Sequence, residues 1–185
     1  MKQLHLIRHA KSSWDDPSLG DHQRPLNARG QRASVLMGTA MSVYLKDTPA
    51  VFVSSAVRAQ QTFQGLVSGW AALEGTVSTT DDRLYTFDAH DLIAWLSEAD
   101  DRLDNMAVIG HNPALSALAR LLYPQLTLSR LPTAAWLWLS FDSVAWRSFP
   151  RPRPKTTPLL ICSMRGATQA AHTAHTPAVR QGGEK

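Results

Sequence analysis

The chain opens on an alternating apolar run, Gln3-Leu4-His5-Leu6-Ile7-Arg8, which predicts a first strand over residues 3–8. The stretch that follows, KSSWDDPSLGDHQRPL, is too broken by Pro17, Gly20 and Pro25 to form one regular element. From Asn27 to Leu45 the apolar positions Ala33, Leu36, Met37, Ala40, Met41, Tyr44 and Leu45 recur at helical spacing, with Asn27 placed to cap the helix. Residues 50–54 (AVFVS) predict a buried parallel strand. A helix from Ala56 to Trp70 follows, with Ser55 as its expected cap. Further along, the pattern predicts a short strand over 75–80, a helix from His90 to Ala99 and a strand from Asn105 to Ile109. A helix from Pro113 to Leu122 comes next, its proline in the first turn, where the missing N–H costs nothing. Residues 133–141 (TAAWLWLSF) predict a strand, with Ala145–Phe149 as an edge strand against it.

This regular alternation of strand and helix predicts an α/β protein with a mainly parallel central sheet and helices on both faces, a three-layer α/β/α sandwich. A length of 185 residues with 44% hydrophobic content suffices for one domain with a full core. The expected organisation is a domain over 1–150 and a C-terminal extension over 151–185, starting with RPRPKTTP and disordered from about Gly166. Cys162 is the single cysteine, which excludes an internal disulfide and any CxxC site. No apolar run approaches the roughly 20 residues that span a bilayer. Arg8 and His9 interrupt the first apolar stretch too early for a signal peptide, and a cytoplasmic location is expected.

The net charge of +4 is unevenly distributed. Residues 150–185 hold Arg151, Arg153, Lys155, Arg165, Arg180 and Lys185 against Glu184, so the body before them is near neutral. A basic tail could touch nucleic acid or an acidic lipid surface. The body carries no basic helix or ribbon with interleaved aromatics, which argues against nucleic acid as the partner.

In a doubly wound sheet, ligands sit outside the carboxyl ends of the strands. Here three predicted strands end in chemistry-bearing residues: Arg8-His9, Ser54-Ser55 followed by Arg58, and Gly110-His111-Asn112. One arginine or histidine at a strand end is ordinarily a surface or packing residue. Three such ends converging on one edge, with helix N-termini beside them, predict an anion site, and phosphate is the natural anion. His5, His22, His90, His172 and His175 have no convergent acidic or thiol partners, so no structural metal site is expected.

Four motifs in order, L-x-L-I-R-H-A-K-S-S-W, D-H-x-R-P-L-N-A-R-G, S-S-x-x-R-A-x-Q-T and V-I-G-H-N-P, resemble the histidine phosphatase superfamily. The form is that of its small SixA-like branch, which writes RHA where RHG is more usual. The resemblance covers about residues 3–150 and implies a phosphoglycerate-mutase-like fold. It also implies that His9 is the nucleophile of a hydrolase that needs no metal or other cofactor, forming a phosphohistidine intermediate that water then hydrolyses. Arg8 and Arg58 would clamp the phosphoryl oxygens through guanidinium contacts, and His111 would complete the catalytic set as a second donor. Arg24 is a further candidate for substrate binding; a salt bridge to Asp15, Asp16 or Asp21 is the alternative role for it.

The chain departs from the larger branches in two places. Ser12 and Asp15 stand where those write T-x-x-N, and Arg83-Leu84 is followed by Tyr85-Thr86-Phe87-Asp88 with no glutamate to protonate a leaving group. Asp88, Asp82 and Asp91 are the remaining candidates for that proton. An alkoxide leaving group needs an acid more than a phosphoramidate does, so the missing glutamate favours a phosphohistidine in a phosphorelay or phosphotransfer protein. No long insertion between Arg58 and His111 supplies a lid, which suits a protein substrate. The alternatives are a small-molecule phosphomonoesterase acting on a phosphorylated metabolite, a non-catalytic phosphate-binding module, and an adaptor working through its basic tail.

Overall fold

Period-two burial along each central strand places one set of side chains on each face of the sheet. In the computed structural model, which describes residues 1–142, 145–149 and the backbone of 159–162, Leu4 and Leu6 of β1 (Lys2–Arg8) face one helical layer and Ile7 the other. β4 (Asn105–Gly110) repeats this, with Met106 and Val108 on the first face and Ala107 and Ile109 on the second. The first face is covered by α3 (Ala89–Ser97) and α4 (Ala114–Leu122), which contribute Leu92, Trp95, Leu96, Leu115, Leu118 and Leu122. The second is covered by α1 (Ala28–Tyr44) and α2 (Val57–Gly69) through Met37, Met41, Ala59 and Leu66. Helices on both faces make the expected three-layer sandwich.

β2 (Ala50–Ser54) and β3 (Ser78–Asp81) complete the parallel part, and β5 (Ala135–Phe141) and β6 (Leu159–Cys162) add antiparallel pairings. The sheet order is β3-β2-β4-β1-β5-β6. Arg8 stands in register with Gly110, and Val53 with Ile109, so β1, β2 and β4 end along one edge.

Local chemistry explains most boundaries. The Asn27 side chain accepts from the Gly30 N–H at 2.9 Å and caps α1 as expected. α1 and α2 approach closely because both carry glycine at the crossing. A Cβ on Gly38 would overlap the Leu66 carbonyl, and one on Gly65 would overlap the Ser34 hydroxyl.

Three elements differ from the sequence reading. Ala56, not Ser55, caps α2, and it does so without a side-chain hydrogen bond. The strand expected over 75–80 starts later, as β3 at Ser78, because Gly75 ends a 3₁₀ turn over Ala71–Gly75. Residues 145–149 form no edge strand: Trp146–Ser148 is a 3₁₀ turn whose Trp146 indole is fully buried and donates to the Leu103 carbonyl at 2.7 Å. The place beside β5 is taken by β6, which lies in residues assigned from sequence to the extension. The disorder expected from about Gly166 lies outside the described residues.

Candidate active site

β1 delivers Arg8 and His9 to the common edge, the start of α2 delivers Arg58, and the turn after β4 delivers His111. All four of these sequence-predicted residues meet. His9, Arg58 and His111 are 9%, 3% and 1% exposed, an unusual burial for polar groups that must each find a partner.

The partners define the protonation pattern. His9 Nδ1 lies 2.7 Å from the Ala10 carbonyl oxygen, which can only accept, so the proton sits on Nδ1 and the Nε2 lone pair is left facing Arg58. Arg58 Nε donates to that Nε2 at 3.3 Å, and Arg58 Nη2 donates to His111 Nδ1 at 3.3 Å. His111 Nε2 is 2.8 Å from the Ser54 hydroxyl. Each imidazole therefore presents a lone pair to one guanidinium, which requires both rings to be neutral. Burial drives the His9 pKa down to about 4, the charges of Arg58 and Arg8 push the same way, and the Ala10 hydrogen bond opposes them. Burial likewise lowers His111 to about 3, helped by His9 and Arg58.

Arg58 is oriented from its other side. Nη2 donates to Asp21 Oδ2 at 2.8 Å and Nη1 donates to the Asp21 carbonyl. Asp21 also accepts from Arg24 Nη1 at 2.9 Å and from the Tyr85 hydroxyl at 2.8 Å. Partial burial alone would raise the Asp21 pKa, but Tyr85, Arg58 and Arg24 together hold it below the usual carboxylate value. Of the alternatives for Arg24, the salt bridge is present, to Asp21 and not to Asp15 or Asp16, and the residue lines the same cleft as His9. Its Nη2 donates to the Ser12 hydroxyl at 2.8 Å, and its Cζ lies 3.2 Å from the centroid of the Trp14 ring. Arg8 Nη1 donates to the Leu131 carbonyl at 2.8 Å.

Arg8, His9, Asp21, Arg24, Arg58 and Tyr85 line a cleft of about 520 Å³, while His111 is buried against Arg58 and is not part of its lining. The three carboxylates considered as proton donors are not on it. Asp88 caps α3 by accepting from the His90 N–H, Asp91 accepts from the Thr86 hydroxyl, and Asp82 opens an exposed turn. Asp21 is the carboxylate on the cleft among the described residues, and the sequence reading considered it only as a partner for Arg24. Its place three residues before Arg24 in D-H-x-R was the available signal. Ser55, expected to cap α2, instead bonds His22, and the neighbouring Ser54 bonds His111. Among the described residues no group of acidic, histidine or cysteine side chains is arranged to hold a metal ion, and no helix is long and apolar enough to cross a membrane.

The fold is that seen in solved histidine phosphatases. It superposes on the protein histidine phosphatase SixA complexed with tungstate with a TM-score of 0.66 at 24% identity, covering 76% of this chain and 88% of that one. It superposes on mycobacterial glucosyl-3-phosphoglycerate phosphatase Rv2419c with a TM-score of 0.60 at 17% identity, covering 84% and 97%. In sequence, the chain is 34% identical over 113 residues to the uncharacterized protein Rv1276c of Mycobacterium tuberculosis, covering 61% of this chain and 67% of the relative. It is 30% identical over 116 residues to the uncharacterized protein ML1117 of Mycobacterium leprae, covering 61% and 68%. The chain belongs to one family with these two mycobacterial proteins. No protein-family model matches it.

Proposed function

We propose that the protein is a histidine phosphatase that hydrolyses phosphohistidine on a protein substrate, using His9 as nucleophile. The observation that carries this reading is the His9 ring itself. Nδ1 is tied to Ala10, Nε2 is deprotonated, and the ring is kept neutral by burial. Such a ring attacks without first losing a proton.

In the first step His9 Nε2 attacks phosphorus while the bond from phosphorus to the substrate nitrogen breaks, and the departing imidazole takes its proton from solvent. In the second, water attacks the phosphorus on His9, the P–N bond breaks, and inorganic phosphate leaves with His9 restored. Arg58 and Arg8 oppose the charge on the equatorial oxygens, which is where phosphoryl transfer most needs help. His111 donates to the same group once the phosphoryl displaces the Arg58 contact at Nδ1 and the ring's proton shifts to that nitrogen. The Ser54 hydroxyl can accept from Nε2 or donate to it, so either tautomer keeps a partner.

Asp21 supports a phosphoramidate over an alkyl phosphate. A carboxylate held ionised by two arginines and a tyrosine is a poor general acid, and an alkoxide would leave slowly without one. The test is phosphate release from a phosphohistidine-carrying protein and from p-nitrophenyl phosphate, with chelator present, by wild type and His9→Ala. The expected result is loss of at least about a thousandfold in the variant, with unchanged folding, and a preference for phosphohistidine. Equal or greater turnover of small phosphate esters would assign the site to a phosphorylated metabolite. No turnover of either would leave a phosphate-binding module.

A further inference from the structure

The cleft holds more positive charge than one phosphoryl group requires. Arg8, Lys11, Arg24, Arg58 and Arg130 line it against Asp21, and Asp21 already engages Arg24 and Arg58. Neither Lys11 nor Arg130 forms a salt bridge among the described residues.

The backbone that carries the exposed Arg130 is pinned beside Arg8 through the next residue. The Leu131 N–H donates to the Ser116 hydroxyl at 2.8 Å, and the Leu131 carbonyl accepts from Arg8 Nη1 and from Asn112 Nδ2, each at 2.8 Å. Ser116 in turn donates to Asn112 Oδ1 at 2.7 Å. Three residues on, the Ala134 N–H donates to the Arg8 carbonyl at 3.1 Å, so the whole loop is stapled to the end of β1. Burial and the charge of Arg130 together lower the Arg8 pKa to about 10, and the two cations repel unless an anion lies near both. Arg8 also keeps a buried Nε with no hydrogen-bond partner among the described residues, which leaves its charge only partly compensated by the protein.

We propose that Arg130 and Lys11, beside Arg8, form a second anion subsite next to the phosphoryl site, so that the preferred ligand carries a further carboxylate or phosphate close to the transferred group. This rests on the phosphatase reading and extends it to the chemistry of the substrate. The second anion belongs either to an acidic side chain flanking a phosphohistidine or to a small phosphorylated acid.

The experiment titrates the full chain calorimetrically with methylphosphonate, which has one anionic group, and with phosphonoacetate, which adds a carboxylate. Wild type is expected to bind phosphonoacetate about tenfold more tightly, and Arg130→Ala to lose most of that ratio, with Arg130→Lys between them. A ratio below about twofold in wild type, or one unchanged in Arg130→Ala, overturns the proposal. Using the ratio guards against a general loss of folding, which would weaken both ligands together. Phosphate release by the same preparation reports separately on the phosphatase reading: an intact ratio without turnover sinks that reading and leaves the subsite standing. Two phosphohistidine peptides, with Asp or Asn beside the modified residue, identify the source. Faster turnover of the Asp peptide assigns the second anion to a polypeptide; equal turnover alongside an intact ligand ratio assigns it to a small molecule.

Discussion

Asp21 reaches Arg58 from an element far away in sequence, its Oδ2 2.8 Å from Nη2, and so aims Arg58 Nε at His9 and Nη2 at His111. The same carboxylate offsets part of the arginine charge that would bind phosphate. Asp21→Asn separates these roles: anion affinity should rise several-fold while kcat falls about tenfold, because Arg58 loses its anchor. Inhibition by inorganic phosphate and steady-state turnover measure the two effects. A basic limb of the pH–rate profile that moved with the substitution would instead mark Asp21 as the proton donor.

Ser54 is the hydroxyl within 2.8 Å of His111 Nε2, and both groups are buried. Ser54→Ala leaves that nitrogen without its partner and biases the His111 tautomer. A single net hydrogen bond of about 1 kcal/mol corresponds to a loss of about fivefold in kcat, with little change in KM. Restoration by Ser54→Thr would distinguish the hydroxyl from packing. A KM change alone would contradict the assignment.

The convergence on the cleft was legible because each cation or imidazole falls where an apolar strand breaks before a helix: Arg8-His9 after Leu6-Ile7, and His111 after Val108-Ile109. That is local information. The Asp21–Arg58 pair, the Ser54–His111 bond and the Trp146 indole in the core depend on which segments fold back against which. Nothing in the one-dimensional pattern distinguishes Ser55 as a cap from Ser55 as an imidazole partner. β6 was hidden for a similar reason. Leu159–Cys162 is short and follows a proline-rich stretch, and its role exists because β5 offers an edge.

Stability should fall with acid well before the carboxylates titrate. His5 is fully buried, accepts from Trp136 Nε1 at 2.9 Å on Nδ1 and donates from Nε2 to Asn105 at 2.8 Å, so it folds neutral. Burial lowers its pKa to about 4, with the Asn105 contact opposing. Because the folded value lies below the unfolded one of about 6.5, the unfolded chain takes the proton first as pH falls. The stabilisation is complete above about pH 6.5 and is lost towards pH 4, by on the order of 3 kcal/mol for His5. His9 and His111 act in the same direction. Urea midpoints between pH 7 and 4.5 should decline steadily, and His5→Leu should start lower at pH 7 but decline less steeply. An identical slope in the variant would rule out His5 as a source.

Gly30 joins the packing of α1 to the chemistry of the cleft. It sits in the first turn of α1, where its N–H is held by Asn27, and a Cβ there would overlap the Lys11 backbone carbonyl and crowd the Lys11 N–H. The same Lys11 carbonyl accepts from the Asn27 N–H at 3.0 Å. Both neighbours are backbone, so neither can swing aside as a flexible side chain would. Gly30→Ala must therefore push the helix start away from the segment that runs from His9 through Ser12. Overpacking of this kind costs about 1–3 kcal/mol, and the displaced segment carries the Ala10 carbonyl that fixes the His9 tautomer. The expected outcome is a lowered melting temperature together with a kcat loss larger than that of Gly38→Ala, whose clash with the Leu66 carbonyl lies at the α1–α2 crossing. Comparing the two variants at a temperature where both are folded isolates the effect on the site. Equal losses of kcat would show that Gly30 matters to the fold alone.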